Sequence, residues 1–129
     1  MNTPFPSGAC AQVYGIPNCD TVKKARTWLT EKGIAFEFHD FKKQGVPPAV
    51  LEHWLQTLGW EIVLNRKGTT WRKLDAATQA SVQDAASAMA VMLAYPSVIK
   101  RPVVEWPNTP GAAAVSVGFN AEAWALDRL

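Results

Sequence analysis

Hydrophobic and polar positions along the chain follow two different periods, and their order predicts an α/β fold. Two runs rich in β-branched and aromatic residues, Gln12–Tyr14 and Ala35–Phe41, predict strands, and the second alternates aromatic with polar side chains. Between them, Thr21–Lys32 is predicted to be a helix, because apolar residues recur there at helical spacing: Val22, Ala25, Trp28 and Leu29. A strand, a helix and a strand form a βαβ unit, so we expect these two strands to be parallel, with a right-handed crossover.

A second amphipathic helix is predicted after a turn over Lys42–Val46. Pro47 and Pro48 suit the start of a helix, and Gly59 suits its end. Between them, apolar residues at i, i+3, i+4 and i+7 predict a stripe that faces the core: Leu51, Trp54, Leu55 and Leu58.

The segment 60–95 is predicted to be mostly helical and to be inserted between the two halves of the sheet. The polar, basic run Asn65–Lys73 is interpreted as a loop that leads into short helices, one of which Asp75 could cap. A further helical stripe ends before Tyr95–Pro96 and consists of Val82, Ala86, Met89 and Leu93.

The C-terminal part predicts two more strands and a last helix. Pro102 precedes the strand Val103–Trp106, at a position where a strand tolerates proline. The loop Pro107–Gly111 is too short for a crossover, so the next strand, Ala113–Val117, is expected to be antiparallel. Asn120 is the expected cap of the last helix, and Trp124 lies on its inner face. The resulting order is β-α-β-α, helical insert, β-β-α, with a mixed four-stranded sheet.

Composition fits a single domain. The chain has 129 residues, of which 48% are hydrophobic and 19% charged, so residues 12–129 are expected to form one domain around one core. The net charge of +2 gives no argument for a nucleic-acid or membrane partner. Residues 1–11 have no basic start and no apolar h-region, so we expect a loose tail and a cytoplasmic protein.

The chemistry of the chain centres on Cys19. It lies between the first strand and the first helix, where free backbone N–H groups and the helix dipole favour an anion. Such a position can lower a thiol pKa from about 8.5 to roughly 3.5–7.5. The alternative is a small buried hydrophobe, the commoner fate of a cysteine.

The other candidate ligands and nucleophiles are isolated. Cys10 is interpreted as incidental, and the alternative is that it resolves an oxidised Cys19. His39 and His53 have no partner in the sequence, and no Cys/His cluster has the spacing of metal ligands, so no metal site is expected.

One lone thiol at a helix start, followed later by an X-Pro step that opens a strand, is the layout of a thioredoxin-like fold. Four segments in this order resemble the arsenate reductase-like (ArsC-like) family, with the Spx/YffB branch most similar. They are Tyr14–Ala25, Asn65–Leu74, Pro96–Val104 and Val117–Phe119. The resemblance covers the chain from about Gln12 to its end.

The resemblance implies a thioredoxin-like domain whose helical insert forms one wall of the site. It matches Cys19 with the family's redox cysteine, Arg66 with an arginine in the loop after the second helix, and Arg101 with the arginine before the cis-proline Pro102. Arsenate reductases of this class carry a third arginine near the last strand, whereas residues 107–117 contain none, which argues against arsenate. The residue three positions after Cys19 is Val22, so the Cys-x-x-Cys switch of many Spx proteins is excluded.

The preferred interpretation is a monothiol reductase in which a Cys19 thiolate attacks a disulfide and an external thiol resolves the adduct. Glutathione is the expected cosubstrate, and no bound cofactor is expected. Arg66 and Arg101 would stabilise the thiolate and hold a carboxylate; the alternative for each is a solvated surface position or a helix C-cap. The remaining residues predicted to contact substrate are Asn18, Thr21, Pro102 and Lys100, with helix capping as the alternative for Asn18 and Thr21.

Two other functions remain open. One is arsenate reduction linked to glutathione or glutaredoxin and carried out by the same Cys19. The other is a non-catalytic regulator that binds a protein partner, as implied by the Spx branch.

Overall fold

The computed structural model describes residues 10–107 and 114–128. They form two compact units. The first, here called the sheet unit, contains the described residues up to Lys42 and those from Arg101 onward. The second, the insert unit, spans Lys43–Lys100. Among the described residues, no helix is long and apolar enough to cross a membrane.

The described part of the sheet unit contains one mixed sheet with strand order β2-β1-β3-β4. The strands are β1 (Ala11–Gly15), β2 (Phe36–Asp40), β3 (Val103–Glu105) and β4 (Val115–Val117). β1 pairs in parallel with β2 and antiparallel with β3, and β3 pairs antiparallel with β4. Helix α1 (Asp20–Glu31) connects β1 to β2, so the predicted parallel βαβ unit and the antiparallel final pair are both confirmed.

The strand ends differ from the prediction in small ways. β1 begins at Ala11, which is fully buried, so the predicted tail over residues 1–11 is wrong at this residue; residues 1–9 lie outside the described part of the chain. β2 ends at Asp40, because Phe41 begins a short helix, α2 (Phe41–Gln44). Ala113, the predicted first residue of the last strand, also lies outside the described residues.

Helix α8 (Ala121–Arg128) covers one face of the sheet through a single aromatic residue. Asn120 caps it as predicted, since its Oδ1 accepts a hydrogen bond of 3.0 Å from the Ala123 N–H. Trp124 is 5% exposed. Its ring meets three other aromatic rings edge-on, at centroid distances of 4.7–5.4 Å: Trp28, Trp106 and Phe119. Edge-to-face contacts of this kind add to the free energy of apolar burial.

Helices dominate the insert unit. They are α3 (Pro48–Leu58), α4 (Trp60–Val63), α5 (Thr69–Lys73), α6 (Ala76–Ala80) and α7 (Ala85–Ala94), followed by a 3-10 turn at Pro96–Val98. A β-bridge between Leu64 and Ile99 joins the residue that follows α4 to the residue that follows the 3-10 turn. On either side of the bridge, Asn65 N–H donates to the Val98 carbonyl and Lys100 N–H donates to the Val63 carbonyl, each at 2.8 Å.

Two predictions about the insert unit need correction. The run Asn65–Lys73 is not a loop throughout, because its second half forms α5. In α7 the buried residues are Ala88, Val91 and Met92, whereas Ala86 and Leu93, from the predicted stripe, are exposed. Since α7 is apolar on nearly every side, its sequence gives no signal for which face is buried.

We predict that Trp124→Ala lowers the free energy of unfolding by about 3 to 5 kcal/mol, because the substitution empties the centre of the aromatic cluster. Chemical denaturation followed by circular dichroism measures this change. Leu126→Ala in the same helix is the matched control: Leu126 is 85% exposed, so the change should stay within about 0.5 kcal/mol. Equal losses for the two variants would show that the cluster does not hold α8 in place.

Candidate active site

Cys19 occupies the N-cap position of α1. Its backbone is extended, with φ −145° and ψ 122°, and its carbonyl accepts the first hydrogen bond of the helix, 2.9 Å from the Lys23 N–H. The residue is partly exposed, so the alternative of a fully buried hydrophobe does not apply. An N-cap side chain faces the unpaired N–H groups of the first turn, where negative charge is stabilised.

Arg101 reaches the same sulfur from a distant part of the sequence. It lies two residues before the start of β3, and the Arg101–Pro102 peptide bond is cis, as the resemblance implied. Its guanidinium lowers the pKa of the Cys19 thiol through hydrogen bonding and through its positive charge. Both residues belong to the sheet unit. The sheet therefore brings together two of the three residues that the sequence analysis assigned to catalysis.

The pKa of the Cys19 thiol is lowered from its ordinary value. Burial alone would raise the pKa, since it disfavours the charged form. This effect is outweighed by the Val22 backbone N–H, by the hydrogen bond and charge of Arg101, and by the Thr21 backbone N–H. The thiol forms no capping hydrogen bond of regular geometry, yet these donors surround the sulfur and favour the thiolate.

Gly15 makes this close approach of the elements possible. It is the last residue of β1 and is buried. A Cβ at this position would lie 2.9 Å from Cγ2 of Val22 and 3.9 Å from Cβ of Arg101. The sequence analysis did not identify this function, although a glycine between a strand and its following helix can signal close helix–strand packing.

The other predicted contact residues of the sheet unit lie near Cys19 in sequence or beside Arg101. Asn18 and Thr21 are exposed, and Thr21 acts on the thiol through its backbone N–H. Pro102 is buried, and its carbonyl accepts a hydrogen bond of 2.9 Å from the Gly118 N–H.

Arg66 and Lys100 belong to the insert unit. Arg66 has a half-exposed side chain, pairs with Glu61 at 3.7 Å, and lies 5.5 Å from the centroid of the Trp60 ring. Lys100 is exposed. Their predicted action at the thiol stays a prediction.

Cys10 is not placed to resolve an oxidised Cys19. It immediately precedes β1, whereas Cys19 follows the opposite end of that strand. Five strand residues rise about 16 Å, and a disulfide needs Cα atoms within about 7 Å of each other. Burial and the charge of Glu37 also raise the pKa of Cys10, which reduces its thiolate fraction.

A polar network on β1 and its neighbours was not anticipated from the sequence. The Tyr14 hydroxyl donates to Glu105 at 3.2 Å, and its ring stacks on His39 at 4.4 Å. His39 Nε2 lies 2.6 Å from Oε1 of Gln12, so the prediction that this histidine lacks a partner is wrong. Burial, followed by the charge of Glu105, raises the pKa of Tyr14 well above its ordinary value, which keeps the hydroxyl neutral. The described residues contain no group of three or more His, Cys, Asp or Glu side chains that could hold a metal ion.

We predict that Arg101→Gln raises the pKa of Cys19 and slows its alkylation near neutral pH several-fold, because the thiolate loses its charged partner. The pH dependence of iodoacetamide labelling, with Cys10 replaced by serine, measures this change. Lys32→Gln removes the same charge just beyond the far end of α1 and should leave the profile in place. If folded Arg101→Gln keeps the wild-type pH profile of labelling, Arg101 does not stabilise the Cys19 thiolate.

We also predict that Gly15→Ala raises the pKa of Cys19, because the new methyl group must displace Val22 or its helix and so weaken the N–H contacts to sulfur. The control is Gly33→Ala, which has φ +72° and no atom within 4 Å of the new Cβ. This control should cost about 1 kcal/mol of stability through backbone strain alone. If both variants shift the labelling profile equally, general destabilisation is the cause and the packing argument fails.

The chain is similar to a known protein family and to several solved structures. The model of the ArsC family matches residues 14–126. The solved structure of the YFFB (PA3664) protein is 47% identical, with a TM-score of 0.81, over 92% of this chain and 99% of that one. An arsenate reductase (ArsC) related protein from Brucella melitensis is 46% identical, with a TM-score of 0.69, over 96% of this chain and 99% of that one.

A more distant likeness relates the chain to the global transcriptional regulator Spx of Streptococcus agalactiae. The two are 29% identical over 111 residues, which cover 82% of this chain and 74% of the regulator. The family match, by contrast, runs from the end of β1 into α8 and includes Cys19, Arg66 and Arg101. The chain therefore belongs to the ArsC family and has its thioredoxin-like fold.

Proposed function

We propose that the protein is a monothiol oxidoreductase that reduces disulfides through the Cys19 thiolate, with glutathione as its cosubstrate. The observation that carries the proposal is the contact of Cys19 with Arg101 and with the first-turn N–H groups of α1, which lowers the thiol pKa. A thiolate, rather than a thiol, is the nucleophile in disulfide exchange.

The reaction proceeds in two exchange steps. The Cys19 thiolate attacks the glutathione sulfur of a mixed disulfide between the substrate and glutathione, the old S–S bond breaks, and the substrate leaves as a thiolate that takes a proton from water. A second glutathione thiolate then attacks the glutathione sulfur bound to Cys19 and releases glutathione disulfide. The substrate sulfur is thereby reduced to a thiol, the sulfur of the second glutathione is oxidised to the disulfide level, and Cys19 returns as a thiolate.

The resolving thiol has to be external. Cys10 is held at the opposite end of β1, and position 22 is a valine, so neither residue can form a disulfide with Cys19 in the folded chain. Glutathione meets this need, and glutaredoxin is the alternative partner. Within the proposal, Arg66 and Lys100 bind glutathione carboxylates, while Asn18, Thr21 and Pro102 contact the substrate beside the sulfur. No bound cofactor forms part of it.

Arsenate reduction is the second enzymatic candidate, favoured by the ArsC family match. It would use the same thiolate on the central arsenic atom. Residues 107–117 contain no arginine, so the chain lacks in that segment a cation that would help to bind a highly charged oxyanion. Disulfide substrates place less charge at the site, which is why they are preferred here.

The likeness to Spx favours a non-catalytic regulator as the alternative from another class. A regulator that only binds a partner does not require a lowered thiol pKa. It would bind its partner equally well after Cys19 is replaced, whereas a reductase would lose turnover.

We predict that Cys19→Ser loses turnover of a glutathione mixed disulfide by at least about a hundredfold, because a hydroxyl is a far weaker nucleophile at neutral pH. Turnover is followed as glutathione disulfide formation, and a parallel reaction contains arsenate. Cys10→Ser is the matched control and should keep wild-type turnover.

Wild-type turnover by Cys19→Ser would end both enzymatic proposals and leave the regulator. Turnover of arsenate, but not of the disulfide, would replace the preferred substrate with the alternative. Loss of turnover in Cys10→Ser would instead show that the second thiol takes part.

A further inference from the structure

The sheet unit contains a concave surface that begins one helical turn beyond Cys19. It is a groove of about 370 Å³ on the outer side of α1 next to the start of β2. Its lining residues are Lys23, Arg26, Thr27, Thr30, Glu31 and Phe36. The first four stand at i, i+3, i+4 and i+7, so they form one stripe along the helix.

The groove is positive near the thiol and negative at its far end. Lys23 is exposed, and the guanidinium of Arg26 lies 4.2 Å above the Phe38 ring, which fixes its position. Within residues 10–107 and 114–128, no carboxylate lies within 4 Å of either cation. Glu31, the last residue of α1, provides the opposite charge at the far end.

Helix geometry converts these positions into distances from Cys19. With a rise of 1.5 Å per residue, Lys23 lies about 6 Å along α1, Arg26 about 10 Å and Glu31 about 18 Å. An extended peptide advances about 3.3 Å per residue. A peptide whose cysteine lies at the Cys19 sulfur during exchange would therefore bring its second and third residues beside the two cations, and its fifth residue close to Glu31.

We propose that this groove is a docking track for a polypeptide substrate, and that it selects target cysteines followed or preceded, at a distance of two or three residues, by Asp or Glu. The inference rests on the proposed disulfide exchange at Cys19 and adds the substrate class. Carboxylates at these two positions pair with Lys23 and Arg26, the hydroxyls of Thr27 and Thr30 supply further polar contacts, and Phe36 provides an apolar wall. An acidic residue at the fifth position meets Glu31 and is disfavoured.

The test isolates a single exchange between Cys19 and a peptide cysteine. Short peptides carry one cysteine as a mixed disulfide with thionitrobenzoate, which is a good leaving group because its thiol pKa is low. The Cys19 thiolate attacks the peptide sulfur, the S–S bond to thionitrobenzoate breaks, and the coloured thiolate that leaves reports the rate. Three sets of peptides are compared. The first set carries Asp two and three residues from the cysteine, the second carries Asp five residues from the cysteine, and the third carries Asn in place of every Asp. Each set is made with these residues on one side of the cysteine and then on the other.

We predict that the wild-type protein, with Cys10 replaced by serine, reacts about three- to tenfold faster with the near-Asp peptides than with the Asn peptides, and that added salt removes the preference. Lys23→Glu should abolish or reverse it. Lys24→Glu is the matched control, because it makes the same charge change one residue along α1 at a position that does not line the groove; it should keep the preference. All three proteins should react equally with the small disulfide of thionitrobenzoate and mercaptoethanol, whose only charge is the carboxylate that every peptide substrate also carries.

Equal rates with all peptides, or equal effects of Lys23→Glu and Lys24→Glu, would overturn the docking track while leaving the reductase proposal in place. Failure of the proposed function has a different signature: the small disulfide itself would then react no faster than with a free cysteine. Because both substitutions are at exposed positions on α1, circular dichroism should show unchanged folding.

Discussion

The contact between the Cys19 sulfur and the positive groups around it determines what this fold can do. Two kinds of positive group converge there: the backbone N–H groups at the start of α1 and the guanidinium of Arg101. The first are local and follow from helix geometry alone. The second comes from a residue 82 positions away in the chain and reaches the sulfur because β3 lies beside β1 in the sheet. A free cysteine has neither, so the reactivity of this thiol depends on the sheet.

The sheet can hold these groups together because of one small residue and one aromatic cluster. Gly15 lets the first turn of α1 approach the end of β1, since any larger side chain would meet Val22. On the same unit, Trp124 fixes the last helix through edge-on contacts with three rings. Packing therefore sets the distances at the thiol, although none of these side chains carries charge. Such dependence of a polar site on tight apolar packing is expected, because protein interiors deform little.

The elements that the sequence predicts well are those with a strong period. The βαβ start, the helix ending at Gly59 and the strand after Pro102 all have clear apolar patterns and turn residues, and the structure contains each of them. The sequence predicts where α7 lies in the chain but assigns the wrong face of the helix to the core, because an almost fully apolar helix gives no signal for which face is buried. α5 was missed because its residues are polar and basic, and its five-residue length leaves little room for a period.

The site was predictable only in part, for physical reasons. The position of Cys19 at a helix start follows from local sequence, whereas its contact with Arg101 needed the resemblance to a family, since no periodicity relates residues so far apart. The function of Gly15 depends on how closely a helix approaches a strand, which is a tertiary distance. The stacking of His39 on Tyr14 likewise depends on the register of two paired strands, in which these residues are directly opposite.

The central claim is that the two thiols of this protein differ in pKa and that Cys19 has the lower pKa. The direct measurement is an NMR titration with ¹³Cβ-labelled cysteine, in which Cys10 and Cys19 are observed in the same sample. The structure predicts that the Cys19 signal titrates at the lower pH, because its pKa is lowered while that of Cys10 is raised. If Cys19 titrates together with Cys10, or at a higher pH, the backbone N–H groups of α1 and the Arg101 guanidinium do not stabilise its thiolate, and the proposed chemistry fails.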